Sequence, residues 1–434
     1  MTPTLVKPTR ARYWVILFAI ALGILSYIDR VAISQAAKPI SDELGLTKSQ
    51  MGLVFGAFGI SYALFEIPTG WLADWMGPRR VLIRVVLWWS SFTALTGAAW
   101  SYGSLWVIRF LFGAGEAGCF PVLTKAFSVW LPQDEKSRAQ GLLWSFARWG
   151  GAFTPPLVIL VFKFVSWRYA FGVFGSLGLI WCFFFGRWFR DRPQDHPSVN
   201  AAELELLKHA ETHGHADVPW MKLVGSRSVV LLWVQYFCLS FPWYFYVTWL
   251  PTYLQEFRHQ SPAASARLAI FPLLFGGFGS LLCGLLSPRI ARALGSLTTA
   301  RRLISVTGFL SAAVFLWIST RFDDALLGML MMGIASFAND LTMPCSWNSC
   351  MDIGGKYAGT VAGSMNMMGN LAAFAAPAFG GFLLDRTHND WNLLLLVMVA
   401  VYVVGAMCWP FIDPVTKIEN SDPLTLVRGS VQSD

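Results

Sequence analysis

Twelve runs of predominantly apolar residues punctuate this chain, at 13–34, 50–72, 81–99, 102–127, 138–162, 167–188, 228–250, 266–286, 302–320, 325–350, 357–383 and 391–412. About 20 helical residues cross the hydrocarbon core of a bilayer. A segment there must satisfy its own backbone polar groups, which leaves the helix as the natural solution. The pattern predicts an all-α integral membrane protein with twelve transmembrane helices. The composition agrees: of 434 residues, 55% are hydrophobic and 13% charged, where a soluble chain carries nearer a quarter. The first run lacks a small-residue cleavage site and eleven similar runs follow it, so it reads as a span rather than a signal peptide.

The net charge of +8 would suit a nucleic-acid partner, but its distribution points to a membrane. With a cytoplasmic N-terminus, and residues at span ends counted with the adjoining loop, inner segments hold 22 Lys/Arg, outer ones hold 8, and 3 lie within spans (Arg30, Arg109, Arg148). That is the positive-inside asymmetry, and it places both termini in the cytoplasm of a cell-membrane protein.

The longest polar stretch, 187–227, separates the spans six and six. The expected units are an N-terminal bundle (13–188), a central cytoplasmic loop (189–227), a C-terminal bundle (228–413) and a flexible tail (414–434). Within the loop, Asn200 followed by Glu203 has capping-box spacing. Leu204, Leu207 and Ala210 then share a stripe, predicting a short amphipathic helix. The halves are weakly alike: WGGAFTPP (149–156) and MGNLAAFAAPAFGG (368–381) both place a Gly pair or Gly-Asn ahead of mid-span prolines. Two similar six-helix halves around a central cavity form a transporter architecture.

Other chemistries find little support. The six histidines lie in loops, and His213-x-His215 in the central loop, which could touch a metal, is much better accounted for as a solvated polar turn. The seven cysteines fall within spans as packing residues and free thiols, without a C-x-x-C pair. No span holds a nucleophile or metal constellation, so the chain does not read as an enzyme and no cofactor is expected. GAGEAG (113–118) matches G-x-G-x-x-G, but it sits in an apolar helix instead of after a strand. It reads as a small-residue face for a neighbouring helix.

Ionisable groups at membrane depth are costly and usually face a cavity or a partner. Here they are Asp29, Arg30, Glu66, Arg109, Glu116, Arg148 and Asp340. Asp29 and Arg30 point about 100° apart and each needs its own partner. Arg109 and Glu116 share a helix face, roughly 10 Å apart along the axis. These four either meet around one water-accessible cavity or form static ion pairs holding helices one and four together. Arginine can grip an organic acid bidentately, which makes Arg30 the candidate anchor.

GWLADWMGPRR, between spans two and three, resembles the loop signature of the major facilitator superfamily, with Gly70, Asp74, Gly77, Arg79 and Arg80 matching and Trp75 in place of the usual base. Y-x-D-R (Tyr27, Asp29, Arg30), Y-x4-I-P-x-G-W (Tyr62 to Trp71) and R-x6-E with a following proline (Arg109, Glu116, Pro121) resemble its anion:cation symporter family. The resemblance implies a conformational gate at Gly70–Arg80. It implies proton-coupling carboxylates at Asp29 and Glu116, and a charge-pairing arginine at Arg109. It also implies a substrate site of Arg30, Tyr27, Tyr62, Ser346, Trp347 and Asn366. Glu66 departs from the family pattern, in which an uncharged residue is common. Arg148 and Asp340 are further departures, which either serve other substrate groups or pair across the cavity mouth.

The expectation is therefore a proton-coupled symporter, monomeric in the bilayer, that imports an organic anion, most simply a sugar acid, by alternating access. An efflux antiporter of the same fold and a non-transporting nutrient sensor are the alternatives. The first usually carries a longer glycine-proline run in span five than WGGAFTPP, and the second would need a signalling extension.

Overall fold

A computed structural model describes residues 7–207, 220–354 and 358–417, and every regular element among them is helical. Twelve spans run through it. The N-terminal half comprises α1 (Ala11–Gln35), α2 (Lys48–Met76), α3 (Pro78–Thr96), α4 (Tyr102–Glu116) with α5 (Cys119–Trp130) as the two pieces of one span, α6 (Gln133–Phe162) and α7 (Trp167–Trp188). The C-terminal half comprises α8 (Arg227–Thr248), α9 (Ile270–Leu294), α10 (Leu297–Ser319), α11 (Ala325–Gly354), α12 (Ala358–Arg386) and α13 (Trp391–Cys408). Ten of the spans have apolar stretches long enough to cross a membrane by length and composition among the described residues. The other two are α2, which carries Glu66, and α3, which opens with Arg79, Arg80 and Arg84.

Local signals set the helix ends. Ser101 and Ser104 cap the start of α4 reciprocally, and Asp390 accepts from the Leu393 amide to start α13. Pro78 occupies the first turn of α3, where its missing N–H costs nothing. The fourth span is expected to be one continuous helix through GAGEAG, but it breaks. α4 ends at Glu116 and Gly118 takes a left-handed conformation (φ 84°) before α5 begins. Only glycine enters that region without strain.

The halves meet along two seams. On one, α2 lies against α12 through Gly52, Gly56 and Gly59. A β-carbon at Gly52 would stand 2.3 Å from the Pro377 carbonyl oxygen, and one at Gly59 would stand 2.5 Å from the Phe374 nitrogen. Small residues let helix backbones approach where no hydrophobic effect drives them together. On the other seam α6 meets α9, with Trp149 against Phe278 (6.0 Å between rings) and Gly277. Contacts between the halves are dense at the face opposite the termini. There Lys48 pairs with Glu256, and the Ser49 amide donates to Asp385 (2.7 Å). A polar pocket of about 410 Å³ opens on this face beside them, lined by Lys38, Asp42 and His388 among others.

At the terminal face the central loop returns onto the first helix. Asn200 accepts from the Glu203 amide (2.9 Å), as the capping spacing predicts. The reciprocal bond goes elsewhere: the Glu203 carboxylate takes the Thr9 hydroxyl and the amides of Ala11 and Arg12 at the start of α1, with Arg12 also in ion-pair contact (3.1 Å). A carboxylate is favoured at a helix N-terminus, and this one belongs to another segment. Arg12 reaches on to Glu135 (3.0 Å) at the start of α6. His196 is buried against Trp188 (4.5 Å between rings), and burial lowers its pKa. Leu204 and Leu207 belong to the short helix Ala201–Leu207, whereas Ala210, His213, His215 and the tail from 418 lie outside the described residues.

Candidate substrate and coupling site

Asp29 and Arg30 sit side by side on α1 and turn to different neighbours. Arg30 Nε donates to Glu116 Oε1 (2.8 Å), and the Ser26 hydroxyl donates to the same oxygen. Asp29 faces Trp89 and Thr93 of α3 and lies within electrostatic reach of Arg109. The Arg30 guanidinium is enclosed by rings, its Cζ 4.9 Å from Phe58, 5.0 Å from Tyr62, 5.5 Å from Tyr27 and 5.7 Å from Phe120. Ring faces hold a cation without competing for its hydrogen bonds. Arg30 Nη2 and Glu116 Oε2 are buried without a hydrogen-bond partner, so the pair keeps one donor and one acceptor in reserve.

The break in the fourth span puts Glu116 on the last residue of α4. A helix C-terminus carries partial negative charge, so a carboxylate there is stable only with compensation. Arg30 supplies it. Gly115 and Gly118 let this end of the span pack closely on α3 and α2: a β-carbon at Gly115 would stand 1.8 Å from Trp88, and one at Gly118 2.3 Å from Thr69. Arg109 stacks on Phe112 (4.1 Å), and its Nε and Nη1 lack partners. It forms no ion pair within 4 Å among the described residues.

Across the seam the rings continue. Phe120 stacks on Trp144 (4.6 Å), and Trp144 stands 6.3 Å from Trp347 of α11, whose indole donates to the Tyr236 hydroxyl (3.2 Å). Glu66 reaches from α2 to α12, accepting from Asn366 Nδ2 (2.6 Å) and Asn370 Nδ2 (3.4 Å). Tyr244 completes this group by donating to Asn370 (3.4 Å). Ser346 is turned away, fully buried and donating to Gln235 (3.2 Å) inside the C-terminal half. Of the candidate substrate residues, Arg30, Tyr27 and Tyr62 form one cluster, Trp347 and Asn366 face them from the other half, and Ser346 stands apart.

Arg148 and Asp340 face each other between the halves (3.3 Å), as one of the two alternatives for them anticipates. Arg148 also lies 3.5 Å from the Trp243 ring and Asp340 accepts from Asn339 (3.1 Å). Gly276 leaves the room: a β-carbon there would stand 2.8 Å from Asp340.

At the loop between α2 and α3, Gly77 adopts φ 82°. The Arg79 amide donates to Asp191 (2.7 Å), just beyond α7, and its guanidinium reaches the Gly186 carbonyl in the last turn of α7. Arg80 is exposed. The surroundings of Gly70 and the side chain of Asp74 lie outside those described. Sequence reasoning passed over Phe58, Phe120 and Asp191. The two rings look like any packing residue, and Asp191 lies in a loop more than a hundred residues from the helix that it caps.

Residues 19–377 match the family model described as Major Facilitator Superfamily. The chain is 39% identical to a probable sulfoacetate transporter of Cupriavidus necator, over 92% of this chain and 93% of that one. It is 28% identical to a probable galactarate/D-glucarate transporter of Escherichia coli, over 95% and 96%. In structure it is similar to a bacterial homolog of the human lysosomal transporter Spinster, solved in an inward-facing and occupied conformation. The TM-score is 0.71 at 18% identity, covering 92% of this chain and 96% of that one. The chain belongs to the major facilitator superfamily, as a multi-pass membrane transporter and not an enzyme.

Proposed function

We propose that this protein is a proton-coupled symporter that carries a small organic acid into the cell, with both termini in the cytoplasm. The observation that carries the reading is the Arg30–Glu116 pair: a permanent cation with an unused donor, bonded to a carboxylate with an unused acceptor. Protonation of Glu116 weakens its hold on Arg30 and frees the guanidinium for a substrate anion. Release of the anion on the cytoplasmic side lets the carboxylate reclaim Arg30 and shed its proton. Asp29, one residue away and near Arg109, is the second coupling carboxylate. The halves rock about the α2–α12 and α6–α9 seams, and the Gly70–Arg80 segment, with Asp74, acts as the gate on the terminal face. The asymmetry of Lys and Arg between loops supports the orientation.

For the cargo, the geometry favours a short acid over a long polyol. Ser346 is bonded to Gln235, Asn339 to Asp340, Ser364 to Trp233 and Trp347 to Tyr236, so much of the polar wall that a hydroxylated chain would need is already engaged. The likeness to a probable sulfoacetate transporter supports the same choice. A sugar acid is the second reading, supported by the likeness to a probable galactarate/D-glucarate transporter. Purified protein in a thermal-shift series separates them, because specific ligands stabilise the folded state. Stabilisation by sulfoacetate and not by glucarate supports the first, the reverse supports the second, and stabilisation by neither removes both.

A further inference from the structure

At membrane depth the described charges do not balance: Arg30, Arg109 and Arg148 stand with Asp29, Glu66, Glu116 and Asp340, three bases against four acids, while the buried Arg12, Glu203 and Arg301 lie at or beyond the span ends. Arg148 and Asp340 neutralise each other directly, and Arg30 is bonded to Glu116. Asp29 and Arg109 lie in mutual electrostatic reach. Glu66 is the remainder. Its bonds go to two neutral amides, Asn366 and Asn370, and it forms no ion pair within 4 Å among the described residues. It also lies close to the anion anchor. Tyr62, one helical turn before it on the same face of α2, sits 5.0 Å from the Arg30 guanidinium, and the charges of Arg30 and Glu66 act on one another.

We propose that Glu66 sets which anion charge the site accepts: fixed between the halves by Asn366 and Asn370, its carboxylate disfavours a second negative charge on the substrate. This rests on the reading of Arg30 as the anion anchor, and it lowers without abolishing the affinity for a dianion such as sulfoacetate or glucarate. The physical basis is differential. Glu66 repels every anion, but it repels a dianion more, because the second acid group adds its own interaction. Two unit charges about 10 Å apart, at an effective dielectric near 20, shift a binding constant by roughly tenfold. Glutamine at this position keeps the shape and an acceptor oxygen for the asparagines while removing the charge.

The experiment compares dianion with monoanion on matched skeletons, sulfoacetate against 2-hydroxyethanesulfonate and glucarate against gluconate, by titration on purified wild-type protein and Glu66→Gln. The expected result is that Glu66→Gln raises the dianion-to-monoanion affinity ratio by about tenfold in whichever pair binds, with the melting temperature of the empty protein retained. An unchanged ratio in a folded variant overturns the role of Glu66. Arg30→Ala, run alongside, keeps the two readings apart. If it binds the same acids with undiminished affinity, the anchor reading fails. If it loses them while the Glu66→Gln ratio stays put, only the charge-selection inference fails. Absence of binding by all four acids to wild-type protein overturns both.

Discussion

Two arginine–carboxylate pairs lie at membrane depth among the described residues, and they are built differently. Arg30 and Glu116 belong to the same half, on α1 and at the end of α4, and, like Arg148 and Asp340, each retains a polar atom with no hydrogen-bond partner. Arg148 and Asp340 belong to opposite halves, on α6 and α11. Their surroundings include a tryptophan face, an asparagine amide and the Met343 sulfur. A pair within one rigid half is carried intact through any rocking motion, so it can open only by a local event such as a proton or an anion. A pair across the seam is broken by the motion itself. The first has the properties of a binding and coupling site, the second those of a clasp.

The largest test of this contrast is on the clasp. Asp340→Ala leaves Arg148 buried without its counter-charge, and breaking such a pair costs about 3–5 kcal/mol. The expected outcome is a marked fall in melting temperature. Replacing both partners with apolar residues, Arg148→Met with Asp340→Leu, should recover most of it, because the desolvation cost disappears with the charges. A double variant as unstable as the single one would mean that the pair does more than join the halves.

On the other pair, Arg30→Ala should weaken anion binding by about 100-fold while the protein remains folded, since Glu116 can take a proton when its counter-charge is gone. Arg30→Lys should recover little, because a planar fork becomes a point charge. Titration with the acids above gives the answer, and an affinity within a factor of two of wild type would remove Arg30 from the site.

Glu116→Gln separates binding from coupling. It should still exchange labelled substrate between the two sides, because exchange requires no proton release. Uptake driven by a pH gradient should collapse, because the empty carrier cannot reset. If exchange and uptake are lost together in a protein of lowered melting temperature, Glu116 serves as scaffold for Arg30, and the two pairs are more alike than their geometry suggests.

The smallest effect belongs to an exposed pair that neither seam uses. Glu43 accepts from the Trp167 indole (2.7 Å) and from Arg168 (3.0 Å), and these two bonds hold its carboxyl below the ordinary range. A carboxylate with a lowered folded-state pKa adds stability above its ordinary pKa, and that contribution is lost as pH falls through the folded value. Glu43→Gln should therefore lower the melting temperature slightly at neutral pH, and the difference from wild type should vanish in acid. Solvent screening keeps it small.

Much of this was legible in the chain because membranes punish exceptions. An arginine or carboxylate inside an apolar run stands out, so Asp29, Arg30, Arg109, Glu116, Arg148 and Asp340 could be named without coordinates. Partnership was harder. Arg109 and Glu116 share a helix face, yet seven residues place them too far apart along the axis to touch. The partner that Glu116 finds, Arg30, is 86 positions away in sequence. The break at Gly118 was hidden because glycine inside an apolar run reads equally as a packing residue. Glu203 had the right spacing for its own helix, and its carboxylate went to the start of α1 instead.

By itself the sequence determined the class of solution. Twelve apolar runs must become helices, since no other open structure satisfies a backbone in hydrocarbon, and the charges within them must find partners or water. Only the tertiary structure decided which partners. Cross-helix pairing depends on helix rotation, on glycine-permitted approach at Gly52, Gly56 and Gly59, and on where the fourth span breaks. Spacing along one helix constrains none of these, because an ion pair between helices is settled by packing distances of a few ångströms.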